Sequence, residues 1–179
     1  MRGFASLKFL DELVLPLVIL LAARYFGFFA SIYLRPVQFS FGSRSDLVSA
    51  PFLNFDWPGH LVFSNSISWF FVACVLAVFF GFILFRNKYF HADWIHPRVV
   101  HRLHNKNLEF LITEQKEAFY QASSWCFLTS ILLILVITEF LAGQLAVFTF
   151  GVAWAISVSL ILVFLLQSAR DGKLRRKTV

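Results

Sequence analysis

Apolar residues in this chain fall into four long runs, at 13–34, 68–86, 122–141 and 144–168, with polar residues collected between and after them. A helix needs about 20 apolar residues to cross roughly 30 Å of hydrocarbon. All four runs approach or exceed that length; the second is the shortest, and Ile67 extends it ahead of Trp69. The pattern predicts an all-α, polytopic membrane protein of one domain with four transmembrane helices. An outer loop 35–67, a cytoplasmic loop 87–121 and a basic tail 169–179 complete it. Arg2 and Lys8 precede the first run, as in a secretory signal. Asp11 and Glu12 spoil that positive segment, and the run is too long for a signal core, so a retained first helix is expected.

The polar segments differ in character. In the outer loop, Phe39, Phe41, Phe52, Phe55, Trp57 and Phe63 alternate with Ser, Asn, Gly and Pro. The alternation at 37–41 suggests a short strand, and Asp56-Trp-Pro-Gly59 reads as a turn. So many aromatics will not stay in water. They are expected to pack on the membrane surface or the bundle, or to meet another subunit, with Phe55 and Trp57 as candidate contacts.

The cytoplasmic loop carries an amphipathic helical pattern ahead of the third span. Pro97 suits a first helical position, capped by His96 or Asp93. Val99, Val100, Leu103, Leu111 and Ala118 fall on one side, and Arg102, Lys106, Glu109 and Lys116 opposite. No Gly or Pro follows, which favours one continuous helix of about 45 residues, near 67 Å long, projecting from the membrane. The competing form is an interfacial helix on anionic lipid that bends near Asn105–Asn107, with Arg98, Arg102 and Lys106 as lipid or partner contacts.

Charge fixes the expected orientation. The N-terminus, the central loop with Arg86 at its edge, and the C-terminal tail hold 13 of the 16 Lys and Arg residues, and four crossings put these three regions on one side. Both termini are therefore expected in the cytoplasm, in a plasma or bacterial inner membrane. The net charge of +6 then reports topology, and no nucleic-acid partner is needed to explain it. Composition agrees with the membrane reading. The chain is 59% hydrophobic and 15% charged, with mean hydropathy +0.72, whereas soluble domains sit near 45–50% and 25%. Cys74 and Cys126 lie toward opposite membrane faces, too far apart to pair, and are read as small buried hydrophobes.

Three spans carry small residues at four-residue spacing, a pattern that lets helix backbones approach closely in lipid. They are Ala23, Gly27 and Ser31; Ala73, Ala77 and Gly81; and Gly151, Ala155 and Ser159. Arg24 lies about halfway along the first span, where a charge costs at least ~2.5–3.5 kcal/mol and must find a partner or water. Glu139, the one acid within a span, sits roughly 12 Å shallower by helix rise. Arg24 is expected to pair with it, snorkel, or meet a partner or lipid head group.

Candidate chemistry is sparse, and no catalytic, metal or cofactor site is expected. His101 and His104 share a helix face, but no Glu-x-x-His or His-Glu-x-x-His spacing supports a metal. His60 with Asp56, Ser64 and Ser66 is a chance-level grouping for a hydrolase. Trp69, Trp94 and Trp125, with Tyr33, Tyr89 and Tyr120, are expected to form an interfacial belt, and Tyr25 and Trp154 to pack near mid-membrane. The leading expectation is a non-catalytic membrane subunit that packs against other subunits of a larger complex. The alternative is a small homo-oligomeric transporter or channel using Arg24, followed by an interfacial lipid-modifying enzyme.

Overall fold

The computed structural model describes residues 2–35, 39–41, 53–55, 57–90, 96–108, 112 and 115–175. Five helices dominate: α1 (Arg2–Leu34), α2 (Pro58–Tyr89), α3 (Pro97–His104), α4 (Gln115–Leu141) and α5 (Val147–Arg175). Four of them contain stretches long and apolar enough to cross a membrane: Asp11–Leu34, Pro58–Tyr89, Glu117–Leu141 and Val147–Ala169. The chain thus has the architecture of a multi-pass integral membrane protein. Strands β1 (Phe39–Phe41) and β2 (Leu53–Phe55) pair antiparallel between α1 and α2, with Phe39 opposite Phe55. The strand expected at 37–41 is thus present from Phe39; residues 36–38, Phe52 and Asp56 lie outside the described residues.

Helices α2 and α4 form the centre of the bundle and touch each other, with α1 and α5 each packed against both. The core follows from that arrangement. Trp69, Val72, Leu76, Phe80 and Leu84 on α2 meet Leu20 and Ala23 on α1, Trp125, Leu128 and Val136 on α4, and Ala153 on α5. Trp125 stacks on Phe79 and Phe80, at centroid distances of 6.1 and 6.3 Å.

Two boundaries differ from the sequence expectation. Helix α2 starts at Pro58 rather than near Ser68. Proline there needs no helical N–H partner and has its φ preset, so the expected Trp-Pro-Gly turn is instead a helix start. The added turns hold Ser64, Asn65 and Ser66, all buried. Their polarity ends the hydropathy run but not the helix.

The second difference concerns the central loop, where the favoured continuous helix does not form. Helix α3 is capped at both ends. His96 Nδ1 accepts a bond from Arg98 N–H at 3.2 Å. At the other end Asn107 adopts φ +54°, and its N–H donates to the His104 carbonyl at 3.0 Å. Leu108 N–H donates to the Leu103 carbonyl at 2.9 Å, completing a Schellman stop. Asparagine tolerates the left-handed conformation that most side chains avoid, so the break needs no glycine. Asp93, Glu109 and Leu111 lie outside the described residues.

The close approach of α1 to α2 depends on Gly27. A Cβ there would collide with the Ser68 Cα and lie 3.1 Å from its nitrogen and 3.2 Å from the Ile67 carbonyl oxygen. Both neighbours are backbone and cannot rotate away. Gly27→Ala should therefore push the two helices apart and destabilise the fold by about 1–3 kcal/mol. Gly151→Ala, whose Cβ meets nothing within 4 Å, should leave it unchanged. Melting of both variants in the same detergent checks the pair.

Candidate functional site: a buried charged network

The bundle end bearing the α1–α2 and α4–α5 connections contains a linked set of polar side chains. Arg24 on α1 donates from Nη2 to Glu139 Oε1 on α4 at 2.8 Å. The same nitrogen lies 3.2 Å from Asn65 Oδ1 on α2. Asn65 Nδ2 donates to Glu139 Oε2 at 2.6 Å and to the Gln144 carbonyl at 2.9 Å. Trp69 Nε1 also donates to Glu139 Oε2. With both amide protons and the oxygen engaged, the orientation of Asn65 is determined by its partners. The Arg24 guanidinium stacks over the Trp69 ring at 4.2 Å and faces Phe28 at 5.5 Å. Side-chain exposure is 11% for Arg24 and 2% for Glu139, so the pair is shielded from its surroundings.

Local structure places each member. Glu139 belongs to the last turn of α4, which ends in the same stop that closes α3. Gly143, at φ +71°, donates its N–H to the Phe140 carbonyl, and Gln144 N–H donates to the Glu139 carbonyl. That reversal turns the Gln144 carbonyl toward Asn65. The Ala146 N–H at the start of α5 donates to Ser66 Oγ at 2.9 Å. On the other side, Ser68 Oγ donates to the Arg24 carbonyl at 2.8 Å, and the Ser31 and Ser64 hydroxyls meet at 2.8 Å. The Ser-Asn-Ser-Ile-Ser-Trp stretch of α2 thus joins three helices and one connection.

The sequence-derived candidates now have positions. Arg24 and Glu139 are brought together directly. The gap expected from helix rise closes because the helix ends are staggered: Glu139 is two residues from the end of α4, Arg24 ten from the end of α1. The last turn of α1 is open, with Tyr33 93% exposed. Asn65 and Trp69 were missed as members of this site. Trp69, expected at the membrane interface, is 1% exposed, and Trp125, expected there too, is 4% exposed. The signal that could have found them is helical spacing: Asn65, Ser68 and Trp69 recur at three and four residues on one face.

Other candidates separate by location. Ala23, Gly27 and Ser31 are buried against the bundle, as is Ala73; Gly81 is half-buried and Ala77 exposed. Gly151, Ala155 and Ser159 face outward, because α5 instead buries Ala153 and Ser157. Trp154, expected to pack, is 47% exposed. Cys74, expected buried, is exposed, and Cys126 is half-buried; both are free thiols. Phe55 is half-buried and Trp57 exposed, while Arg98, Arg102 and Lys106 are all exposed. Ser64 and Ser66, weighed beside His60 as nucleophiles, are engaged by Ser31 and the Ala146 N–H. Among the described residues no group of three or more His, Cys, Asp or Glu is placed to hold a metal. Trp94, His91 and Asp56 lie outside the described residues.

The network leaves little room for a ligand. The crevice beneath Trp69, lined by residues including Val72, Leu76, Val136 and Ser157, holds about 10 Å³, at the lower limit for one water. No protein-family model, curated protein or solved structure matches this chain. The geometry alone therefore carries the functional reading.

Removing one partner of a buried ion pair leaves an uncompensated charge and costs about 3–5 kcal/mol, whereas replacing both with apolar groups is far milder. Arg24→Leu and Glu139→Leu should each lower the melting midpoint in detergent sharply. The double variant should be more stable than either single one. Additive losses in the double variant would mean that the two side chains do not act as a pair.

Proposed function

We propose that the chain is a non-catalytic integral membrane subunit of a larger assembly, with both termini and the α2–α4 connection in the cytoplasm. Its membrane is a plasma or bacterial inner membrane. The observation that supports this reading best is that the buried Arg24–Glu139 pair is engaged in joining the bundle. Arg24, Asn65 and Trp69 all donate to the Glu139 carboxylate. The α4 hydroxyls of Ser124, Thr129 and Ser130 donate to carbonyls of their own helix. A permeation path needs polar groups lining an opening, and a catalytic centre needs reacting groups with space for substrate. The transporter alternative has less support, since the guanidinium that would meet an anion already faces Glu139 at 2.8 Å.

Orientation is supported by the 13 of 16 Lys and Arg residues that fall at positions 2–8, 86–116 and 170–177. On this reading partner subunits meet the outward face of α5 around Gly151, Ala155 and Ser159. The exposed Trp57 ring beside Phe55 contributes a second contact on the outer side. Helix α5 suits that role because it is the least enclosed span, with 17% of its most apolar window buried inside the chain.

The test is native mass spectrometry after mild extraction from the source membrane. Different subunits should accompany the wild-type chain. Gly151→Leu, at an exposed position where an added Cβ meets nothing within 4 Å, should lose them while melting normally. A monomer or pure homo-oligomer from the native membrane would overturn the subunit reading.

A further inference from the structure

Helix α3 is too short to be stable alone in water, since isolated helices below about 12–15 residues are marginal. None of its residues is buried by the rest of the chain. Yet it is closed at both ends, by His96 and by the Asn107 turn. Such a helix needs a surface to fold against, and its two sides say which kind. Val99, Val100 and Leu103 share one sector, with Val99 40% and Val100 37% exposed. The terminal turn carries Leu108 back onto the Leu103 carbonyl. Arg98 and Arg102, four residues apart, occupy the opposite sector with His101, and Lys106 follows in the turn. Residues 96–108 contain no Asp or Glu.

The chain also fixes where α3 can be. Membrane-spanning α2 ends at Tyr89 and α4 begins at Gln115, so α3 is tied to the same membrane face on both sides by short connections. A basic, amphipathic helix held there meets phospholipid before any other partner.

We infer that α3 is a bilayer-surface helix that binds anionic phospholipid. Val99, Val100, Leu103 and Leu108 enter the acyl boundary, and Arg98, Arg102 and Lys106 engage head-group phosphates. This assigns the central basic segment to lipid rather than to docking of subunits, and it stands whether or not the subunit reading holds.

The test uses the full chain with Cys74→Ala and Cys126→Ala, spin-labelled at Val99→Cys or at His101→Cys. The protein is reconstituted into phosphatidylcholine vesicles with or without phosphatidylglycerol. Access of lipid-soluble oxygen is compared with that of an aqueous nickel complex. With phosphatidylglycerol present, the oxygen-to-nickel ratio at Val99 should exceed that at His101 severalfold. Arg98→Gln with Arg102→Gln, both exposed positions remote from the core, should erase the difference, as should omitting phosphatidylglycerol. Equal nickel access at the two sites on anionic vesicles would overturn the inference and place α3 in water. Shielding of Val99 that persists in pure phosphatidylcholine and survives both Arg changes would also overturn it, because protein would then be the cover.

Discussion

A guanidinium ten residues inside a membrane-spanning helix must be neutralised within reach of its own side chain, and this constraint organises the bundle. Arg24 reaches Glu139 only if α1 runs past the end of α4, and the two helices are staggered accordingly. Arg24 bonds only Oε1 of that carboxylate, so Oε2 takes its donors elsewhere. Asn65 and Trp69 provide them from α2, and the stop at Gly143 delivers the Gln144 carbonyl to Asn65. Charge compensation thus sets the register of three helices and the path of the α4–α5 connection at once.

Dispersion and close packing do the rest. Lipid offers no hydrophobic drive for helix association, so contact depends on how near backbones can come. Gly27 lets α1 lie directly on the Ser68 backbone, and that approach puts Ser68 Oγ on the Arg24 carbonyl. At the opposite end a second set, built on Arg86, Asn87 and Gln167, repeats the theme. Arg86 Nη2 donates to Gln121 Oε1 at 2.6 Å, and Asn87 Nδ2 to the Ala118 carbonyl at 3.1 Å. Gln167 Nε2 reaches the Leu84 carbonyl at 3.3 Å. The two polar layers bracket an apolar middle built around Trp125, Phe80 and Val136. Helix α5 shares least in either layer, which leaves its small-residue face outward.

Much of this was legible in the sequence because a bilayer imposes a length and a composition. The four spans, the strand near Phe39 and a helix starting at Pro97 follow from runs, alternation and proline placement. Arg24 and Glu139 were legible as oddities, since each is an ionisable group where hydrocarbon is expected. Asn65 and Trp69 were not, for a physical reason. Hydropathy averages over a helix, whereas burial depends on which side faces its neighbours. Ser64, Asn65 and Ser66 therefore looked like loop when they are the inward side of α2. Depth was misjudged by the same simplification, because helix ends were assumed to share a plane. The bend near Asn105–Asn107 was legible only as the less favoured form, because asparagine performs at Asn107 the role for which glycine is the usual marker.

The most direct measurement is solid-state NMR of the protein in lipid bilayers, recoupling ¹⁵N-labelled arginine side chains to ¹³C-labelled glutamate carboxyls. The ion pair at 2.8 Å should give strong dephasing of one carboxyl signal, and Glu139→Gln should remove that signal. Retention of all dephasing in Glu139→Gln, or its absence in the wild type, would contradict a bundle built around the Arg24–Glu139 contact.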